Sequence, residues 1–186
     1  MRQTLRLHPD SLCFAVTQIE VEVTRSQAPS LMLAYVVTGK ISDLLMPPVA
    51  AAARTDELWR HTCFEAFVRS LPGTAYYEFN FAPSTQWAAY QFSGYRRGMR
   101  VATEIKAPQI AVESSPEHFI LQASLELEQL LIPAPSGGGT RGDTMWRLGL
   151  SAVIEEKNDR RSYWALAHPP GKADFHHSDG FAVEIA

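Results

Sequence analysis

Two cysteines, Cys13 and Cys63, are all that the 186 residues contain, too few for a disulfide framework. A reducing compartment would keep both as thiols. Long apolar runs are missing too: no segment approaches the roughly 20 apolar residues needed to cross a bilayer, so no membrane partner is expected. Nor is there an excess of positive charge. Seventeen Lys and Arg face twenty Asp and Glu, a formal net charge of −3. Apart from Tyr95-Arg96-Arg97-Gly98-Met99-Arg100 there is no basic stripe, so a nucleic-acid partner is not expected. That cluster could clamp an anion or form a solvated hairpin end. The first residues, Met1-Arg2-Gln3-Thr4-Leu5-Arg6-Leu7-His8-Pro9, lack an apolar h-region and a small-residue cleavage site, and a cytoplasmic location is expected. Also missing is a phosphate loop. Gly137-Gly138-Gly139-Thr140-Arg141-Gly142 has no terminal Gly-Lys-Ser/Thr, and Arg141-Gly142-Asp143 is a string that chance supplies freely.

What is present is a globular composition, 46% hydrophobic and 20% charged, at a length that suits one domain spanning residues 1–186. Period-two patterns run from end to end. Residues 18–24 alternate as a strand with one wet face would, whereas 31–37 are apolar on both faces and read as a central strand. Tyr77, Phe79 and Phe81 point one way, and Tyr76, Glu78 and Asn80 the other. The alternation recurs through Phe119, Leu121, Ala123, Leu125 and Leu127, through Trp146, Leu148, Leu150, Ala152 and Ile154, and through Phe181, Val183 and Ile185. Asn158-Asp159 marks a hairpin before Ser162-Tyr163-Trp164, and residues 133–139 form a Pro- and Gly-rich loop. With no βαβ rhythm, these elements predict an all-β antiparallel sandwich or barrel.

The segment Leu58-Trp59-Arg60-His61-Thr62-Cys63-Phe64-Glu65-Ala66-Phe67-Val68 is ambiguous. Its spacing by four (Trp59, Cys63, Phe67) allows a helix, while its β-prone content favours a strand. As a strand it would put Trp59, His61, Cys63, Glu65 and Phe67 on one face. A carboxylate among apolar residues needs a partner, water or a ligand, because burying it unpaired costs several kcal/mol. Glu78 and Asn80 add polar groups at i and i+2. Carboxylates and amides match sugar hydroxyls, and a Trp ring offers a flat surface to the apolar face of a pyranose. Trp59 and Trp87 could equally fill the core or cap a sheet edge.

His168, His176 and His177, with Asp174 and His61, are candidate ligands for zinc, iron or copper, although no established spacing is matched. Cys63 in an apolar strand is a poor nucleophile. No nucleophile, base and orienting group fall at a telling spacing, so acid–base catalysis by the carboxylates and histidines is not favoured.

Residues 58–68, followed by Tyr76-Tyr77-Glu78-Phe79-Asn80-Phe81-Ala82-Pro83, resemble the bacterial DOMON-like domains, which are similar to carbohydrate-binding module family 9. Trp87-Ala88-Ala89-Tyr90-Gln91-Phe92, Tyr95-Arg96-Arg97-Gly98-Met99, Tyr163-Trp164-Ala165-Leu166-Ala167-His168-Pro169 and Lys172-Ala173-Asp174-Phe175-His176 add to the likeness, which spans about residues 31–185. The resemblance implies an antiparallel two-sheet β-sandwich and makes residues 58–68 a strand. It also implies a sugar or polyol ligand, with Trp59 stacking and Glu65, Glu78 and Asn80 hydrogen-bonding. The loop holding Lys172, Asp174, Phe175 and His176 would then close the site. The family's second Trp has no counterpart here, since that region reads Asp174-Phe175-His176-His177. Other DOMON domains bind haem through Met and His ligands, which brings Met46, Met99 and the C-terminal histidines forward as the alternative.

Overall fold

The computed structural model describes residues 1–25, 30–130 and 145–185; the glycine-rich loop expected at 133–139 and the strings at 137–143 lie outside them. Among the described residues there are twelve strands, a few single 3₁₀ turns and no α-helix. Among the described residues no helix is long and apolar enough to cross a membrane.

The strands are β1 (Arg2–Leu7), β2 (Val16–Arg25), β3 (Ser30–Gly39), β4 (Cys63–Ser70), β5 (Tyr76–Phe81), β6 (Trp87–Phe92), β7 (Arg100–Val101), β8 (Gln109–Ser114), β9 (His118–Glu126), β10 (Trp146–Glu155), β11 (Arg161–Ala165) and β12 (Val183–Ile185). They pair antiparallel along one path, β7-β6-β5-β4-β10-β11-β1-β2-β3-β9-β8, with β12 on β10. β1 divides its two halves between two neighbours. Arg2 to Leu5 pair with β2, while Arg6 and Leu7 pair with Ala165 and Trp164 of β11.

The path curls over its own apolar side. Tyr35 of β3 meets Phe64 of β4 at a 5.2 Å ring separation, and Phe64 stacks on Phe119 of β9 at 5.8 Å. Tyr35 Oη also donates to the Glu65 carbonyl, 2.7 Å away. Alternation supplies this interior: Ile19, Val21 and Val23 on β2, Leu31, Leu33, Tyr35 and Val37 on β3, and Phe119, Leu121, Ala123 and Leu125 on β9 are all buried.

The two ends of the path differ. β2, β3 and β9 are wet on their other side. Residues 31–37, expected to be apolar on both faces, are buried only at alternate positions, with Met32 46% exposed. β3 is central in its hydrogen bonding, but its second face has no layer on it. By contrast β4, β5, β6 and β10 are buried on both faces. Their outer side carries a second apolar cluster, including Phe67, Tyr76, Tyr90, Phe92 and Phe181. The cover comes from residues 166–182, which run from β11 back to β12.

Gly149 on β10 permits that cover to approach. A Cβ there would lie 3.2 Å from the Gly180 carbonyl oxygen and 3.3 Å from the Phe67 Cβ. The hairpin expected at Asn158-Asp159 is present between β10 and β11, with Asp159 at φ 63°. Trp87 is a core residue, buried with the Arg54 guanidinium 4.1 Å from its ring centre.

Because Phe64 is fully buried between rings from β3 and β9, Phe64→Ala is expected to cost about 3–5 kcal/mol, read as a lower urea midpoint at an unchanged slope.

Candidate functional site

Antiparallel register sets the outer face of the covered half. Ser151 of β10 is opposite Glu65 of β4, and Glu65 is opposite Asn80 of β5. One step along, Gly149, Phe67, Glu78 and Tyr90 line up across β10, β4, β5 and β6. Two carboxylates and an amide thus lie on adjacent strands, ringed by aromatic residues. Glu65, Glu78 and Asn80 are 3%, 6% and 0% exposed.

Each polar group is held by neutral partners. Ser151 Oγ donates to Glu65 Oε2 at 3.1 Å. Asn80 Nδ2 donates to Glu78 Oε1 at 2.7 Å, and the Cys63 thiol lies 3.4 Å from Asn80 Oδ1. Burial pushes the Glu65 carboxyl up to about 8, the nearby Glu78 charge adding to the rise and Ser151 opposing it. Burial also raises Glu78, to about 6, against the pull of Asn80 and the Arg96 charge. The two therefore hold a proton between them near neutral pH. Burial drives the Cys63 thiol well above its ordinary range, which makes it inert as a nucleophile.

The covering loop brings in a histidine. His176 Nδ1 is 2.8 Å from Tyr76 Oη, and its ring packs on Phe67, Phe92 and Tyr76 at 5.2, 5.1 and 5.9 Å. The Arg96 amide donates to Tyr76 Oη at 3.3 Å, so the Tyr76 proton is free to point at His176 Nδ1. That tautomer leaves Nε2–H facing Glu78 Oε2 at 3.7 Å. Burial, with the Arg96 charge, lowers His176 to about 4, so the ring is neutral at pH 7. Asp174 anchors the loop: it accepts from Arg96 Nε and Nη2 at 3.2 and 2.8 Å, and from Tyr95 Oη.

Two expectations are corrected. Residues 58–68 are not one strand: Leu58–Arg60 form a 3₁₀ turn entered through Glu57 at φ 62°, and β4 begins only at Cys63. Trp59 therefore reaches the face from a turn, its ring 5.7 Å from that of Tyr90. His61 turns aside, its Nδ1 2.8 Å from Glu155, in a cleft of about 670 Å³ lined by Met46, Pro47 and Thr62. Lys172 likewise does not join Asp174, Phe175 and His176. It is exposed and lines a separate hollow with His8, Asp10 and Tyr163.

Phe175 is partly buried against Tyr163 and His168, on the β11 side. Trp59 belongs to the β6 side, so the two rings flank the carboxylates from different margins. The C-terminal histidines have separate neighbours: His168 contacts His8 and the Arg6 carbonyl, and His177 accepts from the Asp179 amide. Met99 is exposed, and Met46 packs on the inner core. Among the described residues no group of three or more His, Cys, Asp or Glu is placed to hold a metal ion.

Tyr76, Tyr90, Arg96 and Ser151 complete the arrangement and were not expected as site residues. Tyr76 shared the alternation of Glu78 and Asn80, which was a usable signal. The contact between Arg96 and Asp174 spans 78 positions and leaves no mark in local spacing.

No family model and no curated protein matches the sequence. Two solved structures are similar in fold. A protein of Bacteroides uniformis assigned to carbohydrate binding aligns at TM-score 0.64 and 12% identity, over 97% of this chain and 84% of its own. A family 9 carbohydrate-binding module of Caldicellulosiruptor kristjanssonii, in complex with glucose, aligns at TM-score 0.45 and 11% identity, over 90% and 76%. The Bacteroides protein thus shares this curled antiparallel fold.

A raised carboxyl pKa in the fold favours the protonated form, so Glu65 supports stability fully below its unfolded value near 4.5 and loses that support as pH rises toward about 8. Urea denaturation from pH 5 to 9 should show wild-type stability falling across this window and Glu65→Gln flattening the fall; parallel curves would contradict the assignment.

Proposed function

We propose that the outer face of β10, β4, β5 and β6 is a non-catalytic site for a sugar or a similar polyol. The observation that carries this reading is the row Glu65, Glu78 and Asn80, set side by side on adjacent strands within an aromatic surround. Sugar hydroxyls call for paired acceptors and donors, and the apolar side of a pyranose calls for a ring. Trp59 supplies the ring at one margin, with Tyr90 behind it. Glu65, Glu78 and Asn80 hydrogen-bond, while Phe175 and His176 close the far side, with Asp174 fixing their loop through Arg96.

In this reading the curled path is a DOMON-type sandwich of two sheets meeting at β1, and the absent second Trp is replaced by the Phe175 and His176 turn. The carbohydrate-binding assignment of the Bacteroides protein of similar fold accords with it. No nucleophile is activated on this face: the thiol is protonated and His176 is engaged by Tyr76. In this reading the site's work is binding.

Calorimetric titration with a panel of mono- and oligosaccharides should give saturable heat. Trp59→Ala should weaken the binding at least about tenfold, as expected for loss of a stacking ring worth over 1 kcal/mol. Absence of heat with every sugar, or unaltered affinity in Trp59→Ala, would overturn the reading.

A further inference from the structure

Among the described residues Glu65 has no cation within ion-pair distance, and Glu78 has only His176 Nε2 at 3.7 Å. The charged and titratable groups facing the pair come from several elements. Cys63 and Tyr76 lie on the same strands and are uncharged at neutral pH. Tyr90 on β6 donates to Asp56 at 2.6 Å, which adds a further carboxylate behind the site. Arg96 is the one guanidinium whose charge is felt by Glu78, and it is held by Asp174. Asp174 balances Arg96, so the acidic groups are in excess.

The walls have a matching property. Trp59, Tyr90, Tyr76, Phe92 and Phe67 form an aromatic surround, and the faces of such rings carry negative electrostatic potential. Aromatic faces together with carboxylates in a place largely closed to water are the surroundings that a desolvated ammonium group favours. A neutral polyol would use the same hydrogen bonds but would leave the charge that the proton-sharing pair carries near neutral pH without a counter-ion. We propose that the ligand of this face carries a positively charged amino group, an amino sugar being the class that fits, with its ammonium seated against Glu65 and Glu78. The proposal rests on the sugar reading above.

Seating the cation displaces the proton that the carboxylate pair would otherwise hold, and that proton passes to the buffer. Lowering the pH returns the proton to the pair and releases the ligand, whereas raising it tightens binding only while the ligand's amine, whose ordinary value is about 8, keeps its own proton. His176 stays neutral throughout this range and adds no competing charge.

The test is calorimetric titration of the full chain at pH 6.5 with glucose, N-acetylglucosamine and glucosamine, in two buffers of different ionisation enthalpy. Glucosamine should bind about tenfold or more tighter than glucose, with about one proton released per ligand bound. In Glu78→Gln, and separately in Glu65→Gln, the ratio of glucosamine to glucose affinity should fall toward about one. The proton count in the wild type stands even if one variant fails to fold. Equal affinity for glucose and glucosamine in the wild type, with no proton released, would overturn this inference and leave the sugar reading intact. Failure of all three to bind would overturn both.

Discussion

A strand that gives half its length to one neighbour and half to another is the constraint on which the rest depends. Arg2 to Leu5 of β1 pair with β2, and Arg6 and Leu7 pair with β11. This continuity lets one hydrogen-bonded path turn through a large angle without leaving a row of unpaired backbone groups at the bend. The curl then creates two unlike environments. Its concave side closes on itself, with Tyr35, Phe64 and Phe119 in ring contact. Its convex side is wet over β2, β3 and β9 but apolar over β4, β5, β6 and β10, which need a cover that the sheet cannot supply. Residues 166–182 provide it.

Polar groups under that cover have a cost. An unpaired carboxylate in an apolar setting is disfavoured by several kcal/mol unless it takes up a proton, and Glu65 and Glu78 do so in part. Hydrophobic residues of similar size would pack more stably in the same positions, as buried ion pairs elsewhere show when replaced by apolar groups. The Ser151, Asn80 and Cys63 contacts lessen the penalty without removing it. Two acids kept where two leucines would be steadier are the reason the proposed site is set on this face rather than in the exposed clefts.

Much of this was legible in the sequence. The alternations through 18–24, 76–81 and 146–154 fall in strands, as does that through 119–127 up to Glu126, with Leu127 opening a 3₁₀ turn, and Glu78 and Asn80 share a face as their spacing required. The failures have physical reasons. The run at 31–37, apolar on both faces, is the central strand expected, between β2 and β9, but only its alternate positions are buried, because an apolar residue costs little on a wet surface and Met32 occupies one. Spacing left helix and strand open at residues 58–68, and Trp59 was placed in the strand of Glu65 by the family resemblance; the backbone instead enters a 3₁₀ turn at Leu58 through a left-handed Glu57. β1, β7 and β8 escaped because short or half-exposed strands alternate weakly. Lys172 was grouped with Asp174 by proximity in the chain, but the loop turns between them.

The cover is held by side-chain contacts and close packing: Asp174 to Arg96, His176 to Tyr76, His168 to the Arg6 carbonyl, Phe175 and Phe181 on neighbouring rings, and the 178–180 turn over Gly149. None of these anchors belongs to the ladder hydrogen bonds that hold the sheet. Lys172 and Ala173 are not among these anchors and can be varied in a library without disturbing the scaffold, whereas Asp174 and His176 keep the cover in place. The ladder of strands behaves as a chassis, and the covering segment as a face-plate fitted to one side of it.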